Sequence, residues 1–215
     1  MEWAKLPTSV DEFMAKASAN TEPFRQCELL PGVRDLLQNL TQHTQQQPYL
    51  ALASSGDRQF FHLKTERFTD VLSAIPLFHR IFGDDLCMYR RKGKPAPEIF
   101  TQSLQRLNDS LPVGERPIEP LECLVFEDST AGVEAGRRAG MRVAWVPHPG
   151  LLEAYRGREH LVLAGKIDEK GMLGESSAHD EELRRLLPLS KDGMVELMTS
   201  LEGFPYEHYG LELRE

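Results

Sequence analysis

Cys123-Leu124-Val125-Phe126-Glu127-Asp128-Ser129-Thr130-Ala131-Gly132-Val133-Glu134-Ala135 is the stretch from which the fold is read. Cys123–Phe126 is a short apolar run without alternation, which is how a strand buried on both faces reads. It ends on two adjacent carboxylates, Glu127 and Asp128. The Gly/Ala-rich run from about Thr130 to Ala139 then reads as a helix, and Arg142–Val146 as the next buried strand. Strand, acidic turn, helix and strand in this order make one unit of an α/β fold with a parallel sheet covered on both faces.

The same alternation extends upstream. Pro95-Ala96-Pro97 starts a helix whose Phe100, Leu104 and Leu107 share a face, and Arg80-Ile81-Phe82 reads as a short strand stopped by Gly83-Asp84-Asp85. The apolar run Tyr49–Ala53 reads as a buried strand ended by Ser54-Ser55-Gly56-Asp57, with Asp57 capping a helix through Lys64. Pro31-Gly32 opens a helix with Val33, Leu36, Leu37 and Leu40 at i, i+3, i+4 and i+7. Ser9 and Glu12 have the spacing of a capping box. Downstream, Leu161–Leu163 reads as a last strand and Gly165–Asp180 as a polar, mobile insertion. Met194, Leu197, Met198 and Leu201 read as a final amphipathic segment, with the tail Phe204-Pro205-Tyr206 docking back onto the body.

Length and composition bound the function. The chain has 215 residues, 40% of them hydrophobic and 27% charged, enough to bury a core without disulfides or structural metal. Lys and Arg number 25 against 33 Asp and Glu, a net charge of −8, which argues against nucleic acid as a partner. Cys27, Cys87 and Cys123 form no CxxC pair and read as reduced thiols of a cytoplasmic protein. The apolar runs are too short to span a bilayer.

Three polar clusters fall at expected strand ends, where ligands of parallel α/β sheets bind. Ser54-Ser55-Gly56 offers small hydroxyls and free amides to a phosphate, or forms an ordinary strand-to-helix turn. Lys94 between Gly93 and Pro95-Ala96-Pro97 is a point charge on a stiffened backbone, or a solvated lysine. Glu127-Asp128 repel one another, a repulsion that a hard cation such as Mg²⁺ relieves. Equally, Asp128 or Ser129 caps the Thr130 helix, with Glu127 favoured by the helix dipole. Hydroxyl, lysine and acid pair together are the set that neutralises charge in phosphoryl transfer. No GxxxxGK[ST] or GxGxxG is present, which disfavours a P-loop kinase or a dinucleotide fold.

At Gly93–Phe100 and Cys123–Ala135, with Leu30-Pro31-Gly32-Val33 and Leu50–Ser55, the chain resembles the haloacid-dehalogenase superfamily of phosphatases. It is most similar to the helical-cap subgroup, and Phe61-His62-Leu63-Lys64-Thr65 and Gly83-Asp84-Asp85 look like its pseudouridine-5′-phosphatase-like members. The resemblance implies a Rossmann-like core in which Ser54 and the Ser55 amide bind phosphate, Lys94 touches both phosphate and nucleophile, and Asp128, supported by Glu127, ligates Mg²⁺. It further implies a phosphomonoesterase acting on a small phosphorylated metabolite, a sugar phosphate or a nucleotide-like one. Composition adds the expectation of a cytoplasmic monomer without nucleic-acid or membrane partners. A phosphomutase is a third reading. The family's first motif, Asp-x-Asp, supplies the nucleophile and the acid/base; no Asp-x-Asp occurs in this chain.

The expectation is therefore a truncated member lacking the first-motif strand, which in the family lies between the strands that end here at Ser54 and Phe126. Residues 1–28 would be a cap remnant, 29–164 the core, 165–190 the polar insertion, and 191–215 a C-terminal helix and tail. The alternative is a catalytically inactive, phosphate-binding or regulatory homologue.

Overall fold

Upstream of residue 146 the apolar runs before polar stops become short parallel strands, and the periodic segments become helices. The computed structural model describes residues 9, 12, 15, 16, 19–169, 171–175 and 180–214. In chain order these form α1 (Glu22–Arg25), α2 (Val33–Gln42), β1 (Leu52–Ser54), α3 (Arg58–Thr65), α4 (Thr69–Leu72), β2 (Arg80–Phe82), α5 (Glu98–Asn108) and β3 (Leu124–Glu127). There follow α6 (Thr130–Arg138), β4 (Arg142–Trp145), α7 (Pro149–Ala154), α8 (Glu159–Leu163), α9 (Asp180–Arg184) and β5 (Val195–Leu197).

The strands make two parallel sheets, β1-β2 and β3-β4-β5. Ala53 is in register with Ile81, and Val125 with Val143. Among the described residues no strand pairs with the second edge of β1 or of β3. The two strands whose carboxyl ends carry Ser54 and Glu127 thus belong to separate sheets.

Strand periodicity distributes the core over both faces. On β4 and just beyond it, Val143 and Trp145 enter a cluster with Ile81, Ile99, Val133 and Val162. Ala144 and Val146 enter another with Leu36, Leu40, Leu201 and Phe204. Leu36 and Leu40 are the buried stripe read from the α2 sequence, each contributing about 1.5–3 kcal/mol by leaving water. Gly32 starts α2 at φ 83°, and a Cβ there would stand 2.2 Å from the Leu201 carbonyl carbon, so the chain crosses itself where a side chain cannot fit.

Local signals hold at several ends. Asp57 caps α3 by accepting from Phe60 N at 2.7 Å. Ser9 and Glu12 satisfy each other's amides at 3.1 and 3.2 Å; Val10 and Asp11, and half of the proposed cap remnant, lie outside the described residues. In the aromatic tail Phe204 is buried, stacks on Tyr209, and meets Phe126 with ring centroids 5.4 Å apart.

Three expectations need correction. Leu161–Leu163 is the end of helix α8, not a strand; its residues are buried on every side, so an apolar run this short carries no period to separate helix from strand. The segment read as a C-terminal helix is the strand β5, paired parallel to β4, because hydrogen bonding to the open β4 edge outweighs a weak helical spacing. The stretch from Gly165 is not structureless: Ile167 bridges Leu173 and is buried against the main core. Residues 170 and 176–179 of that stretch lie outside the described residues.

Candidate functional site

Lys94 is the side chain that gathers the site. Its Nζ donates to the Ala53 carbonyl of β1 at 3.4 Å and makes a short ion pair with Glu127 Oε1 at the end of β3. One ammonium therefore joins the carboxyl ends of two strands from different sheets. Lys94 also lies 4.9 Å over the Phe100 ring, which the first turns of α5 hold in place. An ammonium has three donors, and two are spent on the protein, leaving one for an incoming oxygen.

Glu127 is 7% exposed and fully engaged. Its Oε1 accepts from Lys94, while Oε2 accepts from Ser129 Oγ at 3.0 Å and Ser129 N at 3.4 Å. Ser129, rather than Asp128, caps α6, accepting from Gly132 N at 3.1 Å. The Glu127 carboxylate lies across this first turn, where helix amides and dipole favour negative charge. It fits only because residue 132 is glycine: a Cβ there would lie 2.0 Å from Glu127 Cδ.

Asp128 takes the other direction. Its backbone is pinned by Trp145 Nε1, which donates to the Asp128 carbonyl at 3.1 Å, while its side chain is exposed and bonds to no described group. The adjacent carboxylates escape mutual repulsion by division of labour, Glu127 against Lys94 and Asp128 in water.

Ser54 stands at the end of β1, next to Ala53, and its Oγ accepts from Gly56 N at 3.3 Å. Ser55 is exposed beyond it. Gly83, after β2, donates to the Gly56 carbonyl at 3.0 Å, so the two strand-end loops are tied together. Of the residues singled out from sequence, the structure joins Lys94 and Glu127 directly. It sets Ser54 and Asp128 beside them on the same strand ends. Ser129 was named only as a possible helix cap, and Gly132 and the Ala53 carbonyl were not singled out, although a glycine three residues beyond a helix cap, behind an acid, is a legible sign of close approach. Glu98, in the first turn of α5, keeps a buried Oε2 with no partner among the described residues.

Among the described residues no cluster of three or more His, Cys, Asp or Glu is placed to hold a metal ion. Among the described residues of these strand ends, Asp128 supplies the free carboxylate. That suffices for a magnesium ion held by one carboxylate, water and a substrate phosphate, but not for an all-protein cage.

Comparison with known proteins bears on this geometry. The haloacid dehalogenase-like hydrolase family matches residues 6–140. The chain belongs to the haloacid dehalogenase-like hydrolase family. It is 35% identical over 168 residues to a protein of Saccharomyces cerevisiae named "Probable pseudouridine-5′-phosphatase", covering 77% of this chain and 67% of that one. It is 35% identical over 175 residues to a Drosophila melanogaster protein of the same name, covering 79% and 68%. An Arabidopsis thaliana (DL)-glycerol-3-phosphatase is 32% identical over 163 residues, covering 75% of this chain and 50% of that one. The fold of this family member also matches the crystal structure of a HAD hydrolase from Entamoeba histolytica, with TM-score 0.57 and 17% identity over 94% of this chain and 71% of that one. The resemblance seen in the sequence is thus confirmed for the family and its α/β fold.

Proposed function

We propose that this haloacid dehalogenase-like hydrolase acts on a small phosphomonoester, a sugar phosphate or a nucleotide-like metabolite, bound where Lys94 joins the ends of β1 and β3. The observation that carries the reading is the Lys94 ammonium held between the Ala53 carbonyl and Glu127, with one donor left over. Ser54 Oγ and the Ser55 amide lie at the same strand end and offer neutral donors to phosphate oxygens. The names of the relatives, phosphatases of pseudouridine 5′-phosphate and glycerol 3-phosphate, support this substrate class.

Charge accounting supports a cation at Asp128. Lys94 balances Glu127, so Asp128 leaves the site negative before a phosphate dianion arrives. Mg²⁺ held by Asp128 would neutralise that charge and polarise the phosphoryl group. Glu127, committed to Lys94, would position the ammonium and would not bind the metal. The chain supplies the charge-neutralising part of phosphoryl transfer; no Asp-x-Asp is present to act as nucleophile and acid/base.

That last observation favours a second reading, a phosphate-binding homologue without turnover. Hydrolysis of p-nitrophenyl phosphate by the homogeneous chain separates the two. Mg²⁺-dependent turnover that Lys94→Met abolishes supports the hydrolase. Saturable binding of phosphate without turnover supports the binding protein, and neither result leaves the site with no phosphate function. Unpaired Cys27, Cys87 and Cys123, together with the acidic balance, support a cytoplasmic monomer with small-molecule partners.

A further inference from the structure

A cavity of about 520 Å³ lies away from Lys94, between α3, α4 and β2, and shares no lining residue with the site above. This is within the usual range for an organic ligand of modest size. Its walls divide by chemistry. Phe61 and Phe82, with centroids 4.9 Å apart, Leu72 and Ile75 make an apolar side; Arg58 and Arg80 make a cationic one.

The two guanidiniums are unequally neutralised. Arg58 donates to Asp85 Oδ1 at 2.6 Å and lies 4.3 Å over the Phe82 ring; its own amide takes Asp84. Asp85 also faces Arg106 at 3.9 Å, so it is shared. Arg80 bonds only to carbonyls: Nε to Ile75 at 3.0 Å, and Nη2 to Leu72 at 2.6 Å and Ile75 at 2.8 Å. Among the described residues Arg80 has no carboxylate partner, and its Nη1 has no acceptor. Arg80 is half-buried and lines the cavity. Burial and the facing Arg58 charge both hold the Arg80 guanidinium below its ordinary value, the response expected of a cation lacking a counter-charge. Thr69, at the start of α4, lines the same space with an uncommitted hydroxyl.

We propose that this cavity binds an organic anion with an apolar body, its carboxylate on Arg80 Nη1 and Arg58, and its hydrocarbon part against Phe61, Leu72 and Ile75. The anion supplies the charge that Arg80 lacks, and a partly dry wall strengthens that bond relative to water. A hydrated inorganic ion gains less, because it leaves the apolar wall uncovered.

The probe is 1-naphthoate titrated into the full chain and followed by fluorescence anisotropy, with neutral 1-naphthalenemethanol as the isosteric control. Saturable one-to-one binding is expected, with the alcohol weaker by about tenfold or more for want of the charge-assisted hydrogen bonds. Arg80→Met should weaken naphthoate by a similar factor. Because Arg80 also ties the Leu72 and Ile75 carbonyls, Thr69→Trp provides an independent test. It fills the cavity from an exposed helix start and should abolish binding without shifting the urea midpoint. Equal affinity for acid and alcohol, indifference to Thr69→Trp, or no saturation by about 10 mM would each overturn the proposal.

Discussion

Replacing Gly132 by alanine tests how the strand end is built. In an ordinary helix the change is favourable by roughly 0.5–1 kcal/mol, because glycine loses more backbone freedom on folding. Here a Cβ would lie 2.0 Å from both Cδ and Oε2 of Glu127. The carboxylate must leave the first turn of α6, and with it go the Lys94 pair and both Ser129 bonds. Breaking a buried, hydrogen-bonded pair costs about 3–5 kcal/mol. Subtracting the helix gain leaves Gly132→Ala destabilised by about 2–4 kcal/mol. Urea unfolding of Gly132→Ala, Glu127→Ala and the double variant forms the cycle. Once Glu127 is shortened the clash is gone, so Gly132→Ala in that background should be neutral or stabilising. Additivity within about 0.5 kcal/mol, or a single variant as stable as the parent chain, would refute the close approach.

Ser129→Ala removes the α6 cap and one bond to Glu127 and should cost about 1–2 kcal/mol in the same assay; a change near zero would contradict the capping assignment. His160 is 1% exposed, and desolvation, then Arg184, hold it below its ordinary value, against the opposing pull of Asp180 and Glu159. The unfolded imidazole takes up a proton below about pH 6.5, so stability present above that pH is lost as pH falls through the folded value. His160→Phe should flatten this acid-side decline in unfolding midpoints, and an unchanged slope would contradict it. Burial pushes the Cys123 thiol up to about 11. Since the thiolate is the nucleophile, iodoacetamide at about pH 8 should modify Cys123 at least roughly tenfold more slowly than an unstructured thiol. Equal rates would count against its burial.

The fold was legible wherever a short apolar run met a polar stop. Arg80–Phe82 before Gly83, and Leu124–Glu127 before Ser129, needed only strand length and a turn signal. The C-terminal third was harder. Leu161–Leu163 is equally buried as helix or strand, and β5 is decided by the open edge of β4 in space, not by its own sequence. At the site, Lys94, Ser54, Glu127 and Asp128 stood out by residue type and spacing. The division between Glu127 and Asp128 did not. It depends on which carboxylate clears the α6 turn, and that is set by the missing Cβ of Gly132 and by Trp145 holding the Asp128 carbonyl.

If Lys94 holds an open donor for phosphate between β1 and β3, removing its charge must cost phosphate affinity. Calorimetric titration of the chain with inorganic phosphate in the presence of Mg²⁺, beside the Lys94→Met variant, measures that cost. Saturable binding in the parent chain that weakens by about tenfold or more in the variant is the expected result. Phosphate binding unaffected by Lys94→Met, or no saturable binding in either protein, would contradict it.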